Sequence, residues 1–217
     1  GSFNQIAEIK GKSTCASPLV SELAKVSCAY YSMRVSREYE ETYWDTDSNG
    51  HRVQKTRRGS DTVAQNTRFV PFYIEDATGK MRVNPDGATF VTEKAFSHFE
   101  PGEVHGPSLS FGGLTIALSN TLLGGASTRT LGYRYEEDVI PLEKNLYVMG
   151  EASDSQGELA IQKPSDKKNR FLISVKSEEE LIRSSTSTMT GLLVGSLISG
   201  AAGITVIVLT LLNIFDF

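Results

Sequence analysis

Residues 191–214 read GLLVGSLISGAAGITVIVLTLLNI, without one charged side chain. As a helix rising about 1.5 Å per residue, this stretch would reach about 36 Å, enough to cross a hydrocarbon core of about 30 Å. A single transmembrane helix is therefore predicted over residues 191–215, and what precedes it is expected to sit in water at a bilayer surface. Gly191, Gly195, Ser199 and Gly203 recur every four residues, which puts small side chains along one side of that helix. In lipid such ladders let backbones approach closely, although glycine is common in membrane helices generally. We read the ladder as a docking face for another membrane helix.

The remaining residues, 1–183, suffice for one sizeable domain or two small lobes. The chain sets 22 basic against 26 acidic residues, a net charge of -4, so it lacks the positive footprint a nucleic-acid binder needs. Its two cysteines, Cys15 and Cys28, could form one bridge or stand as small buried thiols, and thiols are the expectation. The opening GSFNQIAEIK carries no apolar leader and resembles neither a signal peptide nor a first span.

The fold class expected is mainly β, a barrel-like or sandwich-like domain beside the membrane, with room for two lobes. Residues 5–10 alternate polar and apolar as a short half-buried strand. Residues 26–44 carry the strongest β pattern, with Tyr31, Met33 and Val35 on one face and Ser32, Arg34 and Ser36 on the other. The cluster DTDSNG at 45–50 predicts a hairpin turn at Asn49-Gly50, followed by a polar, basic returning arm over 51–58. Residues 67–75 read as one edge or bulged strand around Pro71; a tight turn at 76–79, a strand at 80–83 and a stop at 84–87 follow. Over 92–129 the pattern weakens, so an irregular insertion is expected, with a short helix near 115–123. Four strands at 130–140, 145–152, 158–163 and 170–175 then read as a meander. Ser177-Glu178-Glu179-Glu180 has the form of a capping box and predicts a helix start, within a neck segment over 177–190.

Catalytic chemistry finds little purchase. His51, His98 and His105 have no nucleophile-elbow motif near them. In SHFEPGEVH, the group His98, Glu100, Glu103 and His105 invites a metal, but its central Pro-Gly fixes no ligand spacing. The pairs Gly112-Gly113 and Gly124-Gly125 lack the Lys-Ser/Thr of a phosphate loop and read as turns. No catalytic residue, metal or cofactor is expected.

Taken in order, the motifs accumulate. They are Gly11, Pro18-Leu19, Cys28-Ala29-Tyr30-Tyr31, Arg37-Glu38-Tyr39-Glu40 and Tyr43-Trp44, then VPFYIED at 70–76 with Gly79. GYRYEE at 132–137, Ile140-Pro141 and LYVMGEA at 146–152 follow. This ordered set, spanning about residues 5–183, resembles the GIDE family, whose domain lies beside a membrane in mitochondrial and chloroplast RING-type ubiquitin ligases and in bacterial and cyanobacterial relatives. The resemblance implies a span on each side of the domain and, in the ligases, a RING finger after the second. This chain departs from that pattern, since two cysteines and three histidines cannot supply the eight ligands of a two-zinc module. The expectation is a non-catalytic accessory subunit that docks into an integral membrane complex, touches lipid and binds no nucleic acid.

Tyr30, Tyr31, Tyr43 and Trp44 are candidate partner contacts, with core packing as the alternative. Arg52, Lys55, Arg57 and Arg58 are candidates for a partner or for anionic headgroups, with a solvated hairpin arm as the alternative. The rival class is an enzyme, either a ligase-family member or a hydrolase using His98 or His105. A thylakoid, plastid or bacterial inner membrane is expected rather than a mitochondrial one. Lys176 and Arg183 before the span, with Asp216 after it, place the domain on the cytoplasmic or stromal side; the family arrangement would place it opposite the termini.

Overall fold

The computed structural model describes residues 4–103, 106, 108–117, 127–154 and 157–184. They form two compact units, each assembled from separated segments. The first takes the chain up to Thr14, Pro71–Val91 and the part from Glu143 onward; the second takes Cys15–Val70 and Thr92–Leu142.

In the first unit, β1 (Asn4–Thr14) pairs antiparallel along its length with β12 (Asn145–Ser153), and at its end with β5 (Phe72–Glu75). β5 continues to β6 (Lys80–Val83), β6 runs parallel to β13 (Ala160–Gln162), and β13 returns to β12. These five strands close a circuit, the geometry that removes exposed sheet edges. Phe72, Ile74, Val83, Leu146, Val148 and Ile161 are all buried, at the alternating positions a half-buried strand requires. On the outer face of β12, Tyr147 packs with Leu172 of β14 (Leu172–Ser174) and with Leu181 of α1 (Glu178–Ser184). β14 pairs with β12 and, in parallel, with β7 (Thr89–Val91).

The helix begins as the sequence predicts. The Ser177 N–H donates to Glu180 Oε2 at 2.8 Å and the Glu180 N–H donates to Ser177 Oγ at 3.3 Å, a reciprocal cap of two otherwise orphaned amides. Among the described residues no helix is long and apolar enough to cross a membrane. The expected span at 191–215, with Gly191, Gly195, Ser199 and Gly203, lies outside them.

The second unit is a twisted antiparallel sheet around β3 (Ser27–Thr46) and β11 (Thr128–Pro141). β8 (Glu93–Pro101) flanks β11, while β2 (Leu19–Val20) and β4 (Arg52–Phe69) flank β3. Tyr31, Met33 and Val35 face a core with Tyr133, Tyr135 and Val139, covered by a hairpin of β9 (Ser108–Phe111) and β10 (Leu114–Ala117).

Several expectations need correcting. The described part of the stretch at 92–129 is not irregular: it supplies β8, β9 and β10, and residues 115–117 are strand rather than helix. The remainder of the expected helix, 118–123, lies outside the described residues. Gly112 and Gly113, at φ +56° and +84°, form the tight β9–β10 turn that demands two left-handed residues. Residues 67–75 are not one strand, because the chain leaves β4 after Phe69 and re-enters as β5 at Phe72, with Pro71 between. Nor do the last four strands form a meander. β11 belongs to the second unit, whereas β13 and β14 each pair with a different stretch of β12 and with parallel partners from 80–91. Three-residue strands carry too little pattern to declare such partners. Cys15 and Cys28 are not joined by a disulfide, and Cys28 is fully buried.

Candidate functional site

β3 is 20 residues long, and β11 accompanies it only as far as the pairing of Thr128 with Glu41. Beyond that row, among the described residues, β3 and β4 continue as a two-stranded ribbon, from Thr42 opposite Thr56 to Thr46 opposite Arg52. Its turn is built by Asp47, whose Oδ1 accepts the N–H of Asn49 at 2.9 Å and of His51 at 2.8 Å, while Gly50 takes φ +83°. Of the Asn49-Gly50 pair, only the glycine needs the left-handed conformation.

Alternation gives the ribbon two different faces. On one, Trp44 lies opposite Gln54 and is 60 % exposed, with the Arg52 guanidinium 5.3 Å from its ring centre. On the other, Tyr43 lies opposite Lys55 and is 36 % exposed, with the Arg57 guanidinium 5.6 Å from its ring. Lys55 Nζ donates to Asp45 Oδ2 at 2.6 Å, raising the lysine pKa and lowering that of the aspartate. Arg57 pairs with Glu41 at 2.7 Å and Arg58 with Glu40 at 3.9 Å. A groove of about 480 Å³ runs along the first face between Trp44, Gln54, Thr42 and Arg129.

The ribbon thus gathers four of the eight candidate partner residues, Tyr43, Trp44, Arg52 and Lys55, and Arg57 and Arg58 follow on β4 at its base. Tyr30 and Tyr31 lie elsewhere. Tyr31 is buried and donates its hydroxyl to Glu22 Oε1 at 3.0 Å, and Tyr30 is half-buried beside it on β3. Neither joins the exposed aromatic pair.

The two described histidines, His51 and His98, do not converge. His51 sits at the ribbon turn, 3.6 Å from Asp47. His98 faces Glu100 at 3.0 Å and stacks on Phe111, with ring centres 5.1 Å apart. His105 lies outside the described residues, and among those described no group of three metal-ligating side chains converges.

Several contacts within the second unit escaped the sequence reading. Glu137 is fully buried, yet its carboxylate accepts the backbone N–H groups of Glu22 and Leu23 at 2.7 and 3.0 Å and of Ala24 at 2.8 Å. Arg37, 4 % exposed, donates to Asp61 at 2.9 Å, and its guanidinium lies 4.8 Å from the Tyr39 ring centre. Its Nε and Nη1 have no partner among the described residues. Tyr39 in turn covers Gly59, where a Cβ would stand 2.5 Å from the ring. The missing side chain at Gly59 is the one signal in the sequence that could have revealed this stack. In the first unit, a separate groove of about 510 Å³ lies between Lys10, Tyr147, Val175 and Glu180.

Fold and site together define a mainly β protein of two units that displays an aromatic and cationic ribbon. The chain belongs to the GIDE family, described as E3 ubiquitin ligase, whose model matches residues 40–209. That match takes in the ribbon and the stretch of apolar sequence up to residue 209. Comparisons with curated proteins and with solved structures found no match.

Proposed function

We propose that this GIDE-family chain is a membrane-anchored recognition subunit, whose ribbon binds a protein partner and whose 191–214 stretch docks into an integral membrane complex through Gly191, Gly195, Ser199 and Gly203. The observation that carries this reading is Trp44, the one tryptophan of the chain, held 60 % exposed on a two-stranded extension of the sheet. Exposed tryptophan and arginine are the residue types that dominate protein interfaces. The non-catalytic role is proposed for these 217 residues, whose two cysteines and three histidines are too few to ligate the two zincs of a RING. The membrane we assign is a thylakoid, plastid or bacterial inner membrane, with the domain on its cytoplasmic or stromal side.

Tagged full-length chain purified from native membranes in mild detergent tests both contacts. Trp44→Ala should lose the principal co-purifying membrane protein, and Gly195→Leu with Gly203→Leu should weaken its retention while the chain stays in the membrane. Unchanged co-purification by Trp44→Ala would contradict recognition through the ribbon. Discharge of ubiquitin from a charged conjugating enzyme by the purified chain would contradict the non-catalytic role.

A further inference from the structure

β4 pairs with β3 through every row from Tyr30 opposite Phe69 to Thr46 opposite Arg52, and among the described residues no strand pairs with its other edge. The direction of each amide follows from two hydrogen bonds. The Thr42 N–H donates to Ser127 O at 2.9 Å, so Thr42 points its backbone groups away from β4. The Asp47 N–H donates to His51 O at 2.9 Å, so that row points its groups between the two strands. With no register shift between them, the rows Asp45 to Val53, Tyr43 to Lys55, Glu41 to Arg57 and Tyr39 to Gly59 are the hydrogen-bonded ones. The N–H and C=O groups of Arg52, Gln54, Thr56, Arg58 and Ser60 therefore face outward. A register shift opposite Val35 and Ser36 ends this run before Ala64.

We propose that this outward edge, Arg52 to Ser60, binds an extended acidic segment of a partner protein by strand addition. This rests on the recognition reading above and specifies its partner. Main-chain hydrogen bonds to the outward amides supply the docking, and charge supplies the selection. The edge carries Arg52, Lys55, Arg57 and Arg58 and no acidic residue between them. The carboxylate partners of Arg57 and Arg58 sit one strand further in and are more covered: the Arg57 side chain is 68 % exposed against 25 % for Glu41, and that of Arg58 79 % against 28 % for Glu40. The cationic ends thus lie outermost, where exposed pairs are weak enough to be shared with a second carboxylate. A second copy of this chain fits poorly, since pairing two such edges would bring like charges together. A run of about five or six residues suits the length available.

The test measures fluorescence anisotropy of a labelled hexapeptide alternating glutamate and valine, added to the full chain in nanodiscs of neutral lipid. Saturable binding is expected. It should weaken about tenfold or more in Thr56→Pro, where the lost N–H points outward and the β3 ladder keeps its bonds. It should weaken similarly in Arg57→Gln with Arg58→Gln, and when lysine replaces glutamate in the peptide. Far-ultraviolet circular dichroism and the melting temperature of each variant check that the fold is retained.

Absent binding, or binding equal in Thr56→Pro and the parent, would overturn strand addition. Binding to phosphatidylserine vesicles that the arginine variants lose and Thr56→Pro keeps, without peptide binding, would also overturn it and assign the edge to lipid headgroups. Loss of co-purification by Trp44→Ala alongside failure of the peptide would leave recognition standing and remove only this mode.

Discussion

Glu137 carries no solvent exposure and accepts three backbone N–H groups from the turn at 22–24. Removing it strands three part-buried donors, for which the penalty of a fully buried unpaired group, on the order of 1–3 kcal/mol, is an upper bound. Glu137→Ala is expected to cost about 3 kcal/mol or more, measured by denaturant unfolding of the full chain in nanodiscs; Glu137→Gln, which keeps one accepting oxygen, should cost less. Gly132 answers to a different constraint, because a Cβ there would strike the Glu100 carbonyl oxygen and stand 2.9 Å from the Pro101 Cα. Backbone on β8 cannot yield as a side chain can, so Gly132→Ala should destabilise by about 2 kcal/mol by the same measurement.

Both residues stand in the GYRYEE motif, and there the limits of legibility are plain. The two-residue alternation of Tyr31, Met33 and Val35 was readable because burial has the period of the strand. It also carries Arg37 to the inward side, but no periodicity announces that Asp61 and the Tyr39 ring will receive a guanidinium. In the same way, Tyr31 and Tyr43 are alike in the sequence as tyrosines on the same face of one strand, yet one is buried and the other 36 % exposed. Only the point where β11 stops makes one core and the other surface.

At the scale of elements, long strands and turn chemistry were legible, and short strands were not. β3, its Asp47-centred turn and the Ser177–Glu180 cap lie where their residues predicted, since each signal is local. The region over 92–129 was lost because its Gly-Gly pair, read as a flexible turn, is a specific left-handed hairpin turn. The ribbon's exposed edge was not legible either, since outward amides depend on pairing rather than on residue type. Strand addition there should be weakened about tenfold or more by Thr56→Pro while unfolding stays nearly unchanged, as an edge amide in solvent contributes little to the sheet.

For the whole molecule, the chain passes between the two units after Thr14, Val70, Val91 and Leu142. Neither unit is a continuous segment, which is why a linear reading finds no domain boundary. A shared chemical property of the second unit's core is its response to alkali. Burial, with Glu137 next, pushes the Cys28 thiol from its ordinary 9.0 up to about 11. Burial, with Glu100 next, pushes the Tyr135 phenol from 10.0 up to about 12. Both groups are neutral in the fold and ionise more readily in the unfolded chain. Stability is therefore expected to hold below about pH 9 and to fall as pH rises toward 11–12. Thermal unfolding across that range checks the sign; a flat profile would contradict the buried placement of these groups.

Recognition through the ribbon is tested most directly at Trp44. Hydroxyl-radical oxidation of this side chain, followed by mass spectrometry, compares the full chain in native membranes with the purified chain in nanodiscs. Fast oxidation when purified and marked protection in native membranes is the result expected of a ribbon covered by its partner. Equal oxidation in the two settings, with protection confined to other residues, would contradict it.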